Sequence, residues 1–314
     1  MTVETPAVAQ PTPRRRLLRR LVIDNPVMIK ELRGRMRGAR AFTVLTIYLV
    51  LLGSFSSLVY VAVSESSTNA GGQISVGQVG RTLFAGVVAI EMMLVAFIAP
   101  AFTSGAISGE REHQTFDLLR TTLLSPRSFI LGKLSSAMFF VLLLLLAAIP
   151  LQSIAFFFGG VAETEIILSF LILTATALLF CTVGIFFSSR SYRTLSASVL
   201  TYSFATLLMF GMPLILGAVM LILNFSLDNV GSSGWQVALL YITGTVICLN
   251  PAATALYTQY LLVNQRTYTT FSYQLSNGEK IQLVSPWIPF LLLYAILTIM
   301  FFALAVRRVR KIEE

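Results

Sequence analysis

Chemistry-bearing residues are scarce in this chain. It has one histidine, His113, so a histidine-rich metal site is excluded, and no Ser-His triad is assigned to that lone imidazole. Its two cysteines, Cys181 and Cys248, both fall inside apolar runs. Thiols so placed pack as small hydrophobes, and no disulfide or metal is assigned to them. No GxxxxGK[ST] loop occurs, so the chain does not bind ATP through that motif, and HExxH, CxxC and GxSxG are also missing. No residue is assigned a catalytic role. Charge itself is sparse at 12% of residues, against roughly 25% in soluble domains.

Apolar residues fill that space, at 56% of 314 residues. Several uncharged runs reach the roughly 20 residues a helix needs to cross a bilayer. They are continuous, which excludes the alternating pattern of a membrane barrel. The fold class is therefore all-α and polytopic. Six spans are expected, at about 41–63, 82–104, 129–158, 166–187, 195–223 and 287–306. Pro150 and Pro213 are expected to bend the third and fifth. The region 1–13 reads as disordered, 14–40 as a basic amphipathic helix in the interface, and 307–314 as a basic terminus.

The net charge of +9 does not point to nucleic acid, because the basic residues flank spans. Six spans put 20 of the 23 lysines and arginines on one side, with Arg81, Arg266 and Lys280 opposite. Both termini then lie in the cytoplasm. The apolar stretch 235–262 would spoil this balance as a seventh span. It reads instead as a re-entrant or external hairpin broken at Asn250-Pro251, within an external region 224–286. Glu91 lies mid-span in the second helix, with no partner available on its own helix. It either lines a substrate path or bonds to another helix. Tyr202 and Met209 lie on one face of span five and are further candidates for such a path.

The segment 105–128 is a charged island between spans two and three. Within it Phe116, Leu119 and Leu123 repeat on one helical face, and Asp117 can pair with Arg120. Ser125-Pro126 reads as an N-cap followed by proline at N1.

Three stretches carry a family resemblance. ISGEREHQTFDLLRTTLLSPRSFILGKL (Ile107–Leu134) resembles the first cytoplasmic loop of ABC-2-type transporter permeases. NPVMIKELRGRMRGARAF (Asn25–Phe42) is similar to the segment before their first span, and FFSSRSYRTLSASVLTY (Phe186–Tyr202) to their second cytoplasmic turn. Gln114 departs from the pattern, since the family commonly has glycine there. The resemblance implies an exporter's membrane subunit, paired with a second copy of itself or a related permease. A separate ATP-binding subunit would carry ATP and magnesium, with no cofactor in this chain. Glu110, Arg111, Glu112, Phe116, Leu119, Arg120 and Leu123 would form the coupling site for that ATPase. Lys30, Glu31, Arg33 and Arg37 would lie on a connecting helix that helps receive it. The implied location is a bacterial cytoplasmic (inner) membrane. Two other classes fit the residues: a proton-coupled transporter or channel using Glu91, and a non-transporting membrane scaffold.

Overall fold

The computed structural model describes residues 26–37, 39–69, 76–115, 125–222, 233–265, 268–274, 278 and 280–313. The expected disorder of 1–13, the basic run from Arg14 and the loop helix at Phe116–Leu124 lie outside them.

Helix α1 (Pro26–Met36) begins on a proline, whose missing N–H is no loss in a first turn. The spans follow as α2 (Ala39–Asn69) and α3 (Val76–Thr103). A one-turn helix, α4 (Ser108–Glu112), comes next, then α5 (Pro126–Phe157) and α6 (Glu163–Arg190). Span five is α7 (Thr194–Thr206), a π turn at Leu207–Gly211, and α8 (Met212–Ile222). Helices α9 (Ser233–Leu249) and α10 (Pro251–Gln265) precede a two-stranded sheet and α11 (Trp287–Glu313). Among the described residues six helices are long and apolar enough to cross a membrane, as expected.

Local chemistry sets the boundaries. Ser125 accepts a hydrogen bond from the Ser128 N–H at 3.3 Å, and Pro126 follows it, so α5 starts where sequence places it. Gly159 and Gly160, both at positive φ, turn the chain between α5 and α6. Glu165 then reaches back to the Ala162 N–H at 3.2 Å.

Span α6 is the centre of the bundle. It packs on α3, α5, α7 and α11, and Leu173, Leu179, Phe180 and Cys181 are completely buried. Gly184 lies against Thr103 of α3, so closely that even a methyl group would collide. Span α2 is peripheral. Tyr48 and Leu52 anchor it, while Phe42, Val50 and Leu58 face outward.

Two features depart from the sequence reading. Span five is not one α-helix bent at Pro213. The proline ring crowds the Met209 carbonyl and offers it no N–H, so the chain opens into a π turn just before it. The polar stretch after α10 is not featureless either. Strands β1 (Thr270–Gln274) and β2 (Lys280–Val284) pair antiparallel, with Thr270 opposite Val284 and Phe271 buried against Tyr257. A period-2 pattern in KIQLV was the available signal, and Gly278 at positive φ marks the turn region.

The break at Asn250-Pro251 falls where sequence puts it, and α9 and α10 meet there at a bend of 116°. Asn250 is buried and does three things. Its Oδ1 caps α10 by accepting from the Ala253 N–H at 2.8 Å. Its Nδ2 donates to the Leu208 carbonyl at 2.9 Å and the Met209 carbonyl at 2.7 Å. The carbonyls disturbed upstream of Pro213 are thus satisfied by the break in the hairpin. Tyr294 of α11 donates to the Leu249 carbonyl at 2.9 Å, closing the end of α9.

Candidate functional site

The loop leaving α3 is held from below by serine. The Ser188 hydroxyl oxygen, near the end of α6, accepts from the Ile107 N–H at 2.8 Å and the Ser108 N–H at 3.0 Å. The Ser104 and Ser198 hydroxyls meet at 3.0 Å, adding a tie to α7. Small hydroxyl side chains let these backbones approach while supplying the hydrogen bonds that loop N–H groups need.

The three charges of α4 point in three directions. Glu110 Oε1 accepts from Lys133 Nζ at 3.2 Å, and Glu31 Oε1 of α1 accepts from the same ammonium at 2.9 Å. Lys133 is only 4% exposed, so both carboxylates share one nearly dry cation. Glu110 also accepts from the Thr115 hydroxyl. Burial works to raise the Glu110 carboxyl, but Thr115 and Lys133 outweigh it and hold the group below the ordinary carboxylate range.

Glu112 faces the start of α7. Its two oxygens accept from the Thr194 N–H at 3.0 Å and the Thr194 hydroxyl at 2.9 Å. The residue before that helix, Arg193, offers no side-chain cap, so Glu112 performs the capping from another segment. The Thr194 backbone N–H, then its hydroxyl, lower the Glu112 carboxyl below its usual range. Arg111 extends over the Tyr192 ring at 5.6 Å and donates to the Ser191 carbonyl at 3.4 Å. The loop is therefore bonded to α5, α6, α7 and the α6–α7 connection, and reaches α1 only through the Lys133 that Glu31 shares.

Helix α4 ends in a Schellman motif. The Thr115 N–H bonds the Glu110 carbonyl at 2.9 Å and the Gln114 N–H bonds the Arg111 carbonyl at 3.1 Å. The motif needs a left-handed residue, and that residue is Gln114, at φ 56°. The glycine common here in the resembling family meets the same backbone demand without steric cost.

On α1, Glu31 is half-buried, while Lys30, Arg33 and Arg37 are exposed. Arg35, which the sequence places one helical turn from Glu31 as a favourable i,i+4 pair, donates to the Phe102 carbonyl at 3.0 Å and lies over the Phe102 ring at 5.2 Å. It closes the last turn of α3. Arg35, Ser188 and Thr194 were not assigned to the site, and Lys133 was placed there only as a position where the resemblance holds, with no role. The signal for Lys133 was available, since a cation inside an apolar run must find an anion. Phe116, Leu119, Arg120 and Leu123 lie outside the described residues.

The three path candidates are separately engaged. Glu91 is fully buried, and its Oε2 accepts from Gln152 Nε2 of α5 at 2.7 Å, an interhelical bond of the kind expected. Tyr202 donates to the Phe97 carbonyl at 3.1 Å, and Met209 is buried in the π turn. Among the described residues no cluster of three metal-ligating side chains occurs, and both cysteines are free and buried.

Six long apolar helices among the described residues and a broken helical pair define a polytopic helical membrane protein. The chain belongs to the ABC-2 transporter family: the family described as "ABC-2 family transporter protein" matches residues 26–311. Its members are membrane components of transporters. No curated protein matches the chain.

Proposed function

We propose that this chain is the permease subunit of an ABC-2 exporter, coupled to ATP hydrolysis in a separate ATP-binding subunit. ATP and magnesium belong to that subunit, and this chain does no catalysis. A second permease, identical or related, completes the path across a bacterial cytoplasmic membrane, with both termini cytoplasmic. In this reading α9 and α10 take a re-entrant course, which would keep the basic ends on one side in line with the charge rule.

One observation carries the reading. A short loop at the basic side is joined by Glu110, Arg111, Glu112 and Ser108 to four of the elements that a transport cycle must move. A push on such a loop reaches Lys133 and Thr194 at once. In this reading Phe116, Leu119 and Leu123 meet the ATPase, while the charges of α4 pass the displacement inward. Family membership alone leaves the substrate open. Glu91 with Tyr202 and Met209 remains the candidate path.

The test is Leu119→Glu. The variant should fold and insert normally but lose stimulation of the partner's ATPase activity by the membrane subunit. Unchanged ATPase stimulation would remove the coupling role from this loop.

A further inference from the structure

A cavity of about 500 Å³ lies between α1 and the adjoining ends of α2, α3 and α5. Its lining is divided by chemistry. Lys30, Glu31, Arg35 and Glu110 supply the polar wall, and Val44, Phe102 and Phe140 supply the apolar one. Glu31 and Glu110 are already held by Lys133 at 2.9 and 3.2 Å. Counting Lys30, Arg35 and Lys133 against these two carboxylates, the group carries one excess positive charge. Arg35 adds a more specific demand. Its Nε–H is buried with no hydrogen-bond acceptor among the described residues, Glu31 Oε2 standing 3.9 Å away. A buried charged donor of that kind calls for an oxygen.

We propose that this cavity is a binding site for one anionic glycerophospholipid. Its phosphodiester would lie at Lys30 and Arg35, and its acyl chains would run along Val44 and Phe140. Water could satisfy Arg35, yet it would neither balance the excess charge nor favour the apolar wall. A free phosphate would leave the apolar wall unused. A basic pocket between membrane helices, open to the headgroup level, is the general form of a site for acidic lipid. Bound there, the lipid would brace α1 against the loop that carries Glu110. This inference does not rest on the exporter reading, because lipid retention requires neither ATP nor a partner.

Gly34 provides a clean test. It lines the cavity, and among the described residues nothing beyond its own helix lies within 4 Å of where its Cβ would be. Gly34→Phe should therefore fill the space without a clash. The full chain, purified in mild detergent, would be titrated with phosphatidylglycerol, phosphatidylcholine of the same acyl chains, or inorganic phosphate. Native mass spectrometry would count the bound molecules. Expected is one phosphatidylglycerol retained in preference to phosphatidylcholine, with inorganic phosphate bound weakly or not at all. Gly34→Phe and Lys30→Glu should each weaken retention by about tenfold. Arg307→Glu, a charge reversal at the other basic end, should leave it intact. Monodispersity and unchanged thermal midpoints would establish that the variants fold. Equal retention of both lipids, equal binding of phosphate, retention by Gly34→Phe, or equal loss on Arg307→Glu would each overturn the site.

Discussion

Single residues in the α3–α5 loop carry costs that can be measured. Gln114 occupies the left-handed position of a Schellman motif, where a side chain with a Cβ costs about 1 kcal/mol. Gln114→Gly should recover a good part of this, seen as a higher thermal midpoint and slower amide exchange at Thr115. A lower midpoint would show that the glutamine side chain contributes something beyond the turn. Lys133→Met should be costly, because it strands Glu31 and Glu110 beside an apolar wall. Breaking a fully buried pair costs about 3–5 kcal/mol. With both carboxylates 22% exposed, about 2 kcal/mol is the better expectation. Glu110 also makes stability depend on pH. Its folded carboxyl titrates below the unfolded one, so its contribution is complete above the ordinary carboxylate range and is lost as pH falls through the folded value. Acid should therefore cost the native chain more stability than it costs Glu110→Gln, and parallel pH profiles would contradict the network.

The residue GERE motif was legible in sequence as a place, but its geometry was not. Sequence pointed its charges outward at a partner. The structure also gives each an intrachain target, through Lys133, Ser191 and Thr194, which are 80 or more residues away in two cases. No local periodicity encodes contacts of that range.

At the level of elements, the bond between the hairpin break and span five is the feature most open to a quantitative test. Asn250 donates to two carbonyls on the span that Pro213 interrupts. Polar contacts between membrane helices average well under 1 kcal/mol, but Asn250 makes two of them and a cap in one buried position. Asn250→Ala should cost about 2 kcal/mol. Pro213→Ala would restore an N–H for the Met209 carbonyl, so the two substitutions should be strongly non-additive. A double-mutant cycle in detergent reads this directly, and additive losses would dissolve the link. Both Pro213 and the Asn250-Pro251 break stood out in the sequence as irregularities. Their association did not, since it joins segments some forty residues apart. Close helix approach was equally hidden. Gly184 reads as an ordinary glycine in an apolar run until Thr103 is placed against it, after which Gly184→Leu should separate α3 from α6 and sharply lower the thermal midpoint.

The whole molecule was the most legible level, and the reason is physical. Span length is fixed by bilayer thickness, so it is written in composition. Six helices of that length and apolar character are present among the described residues. The short β-hairpin before α11 escaped because two five-residue strands give little signal beside so much helix. The outward apolar surface of α2 and α11, with Phe42, Leu58, Ile296 and Ile299 exposed, leaves ample area for lipid and for a second subunit.

We propose that this membrane chain works with a separate ATPase. The most direct test is purification from the native host in mild detergent, identifying what comes with it. Expected is a stoichiometric subunit bearing a phosphate-binding loop, lost on Leu119→Glu. Recovery of a folded chain without any such subunit would contradict it.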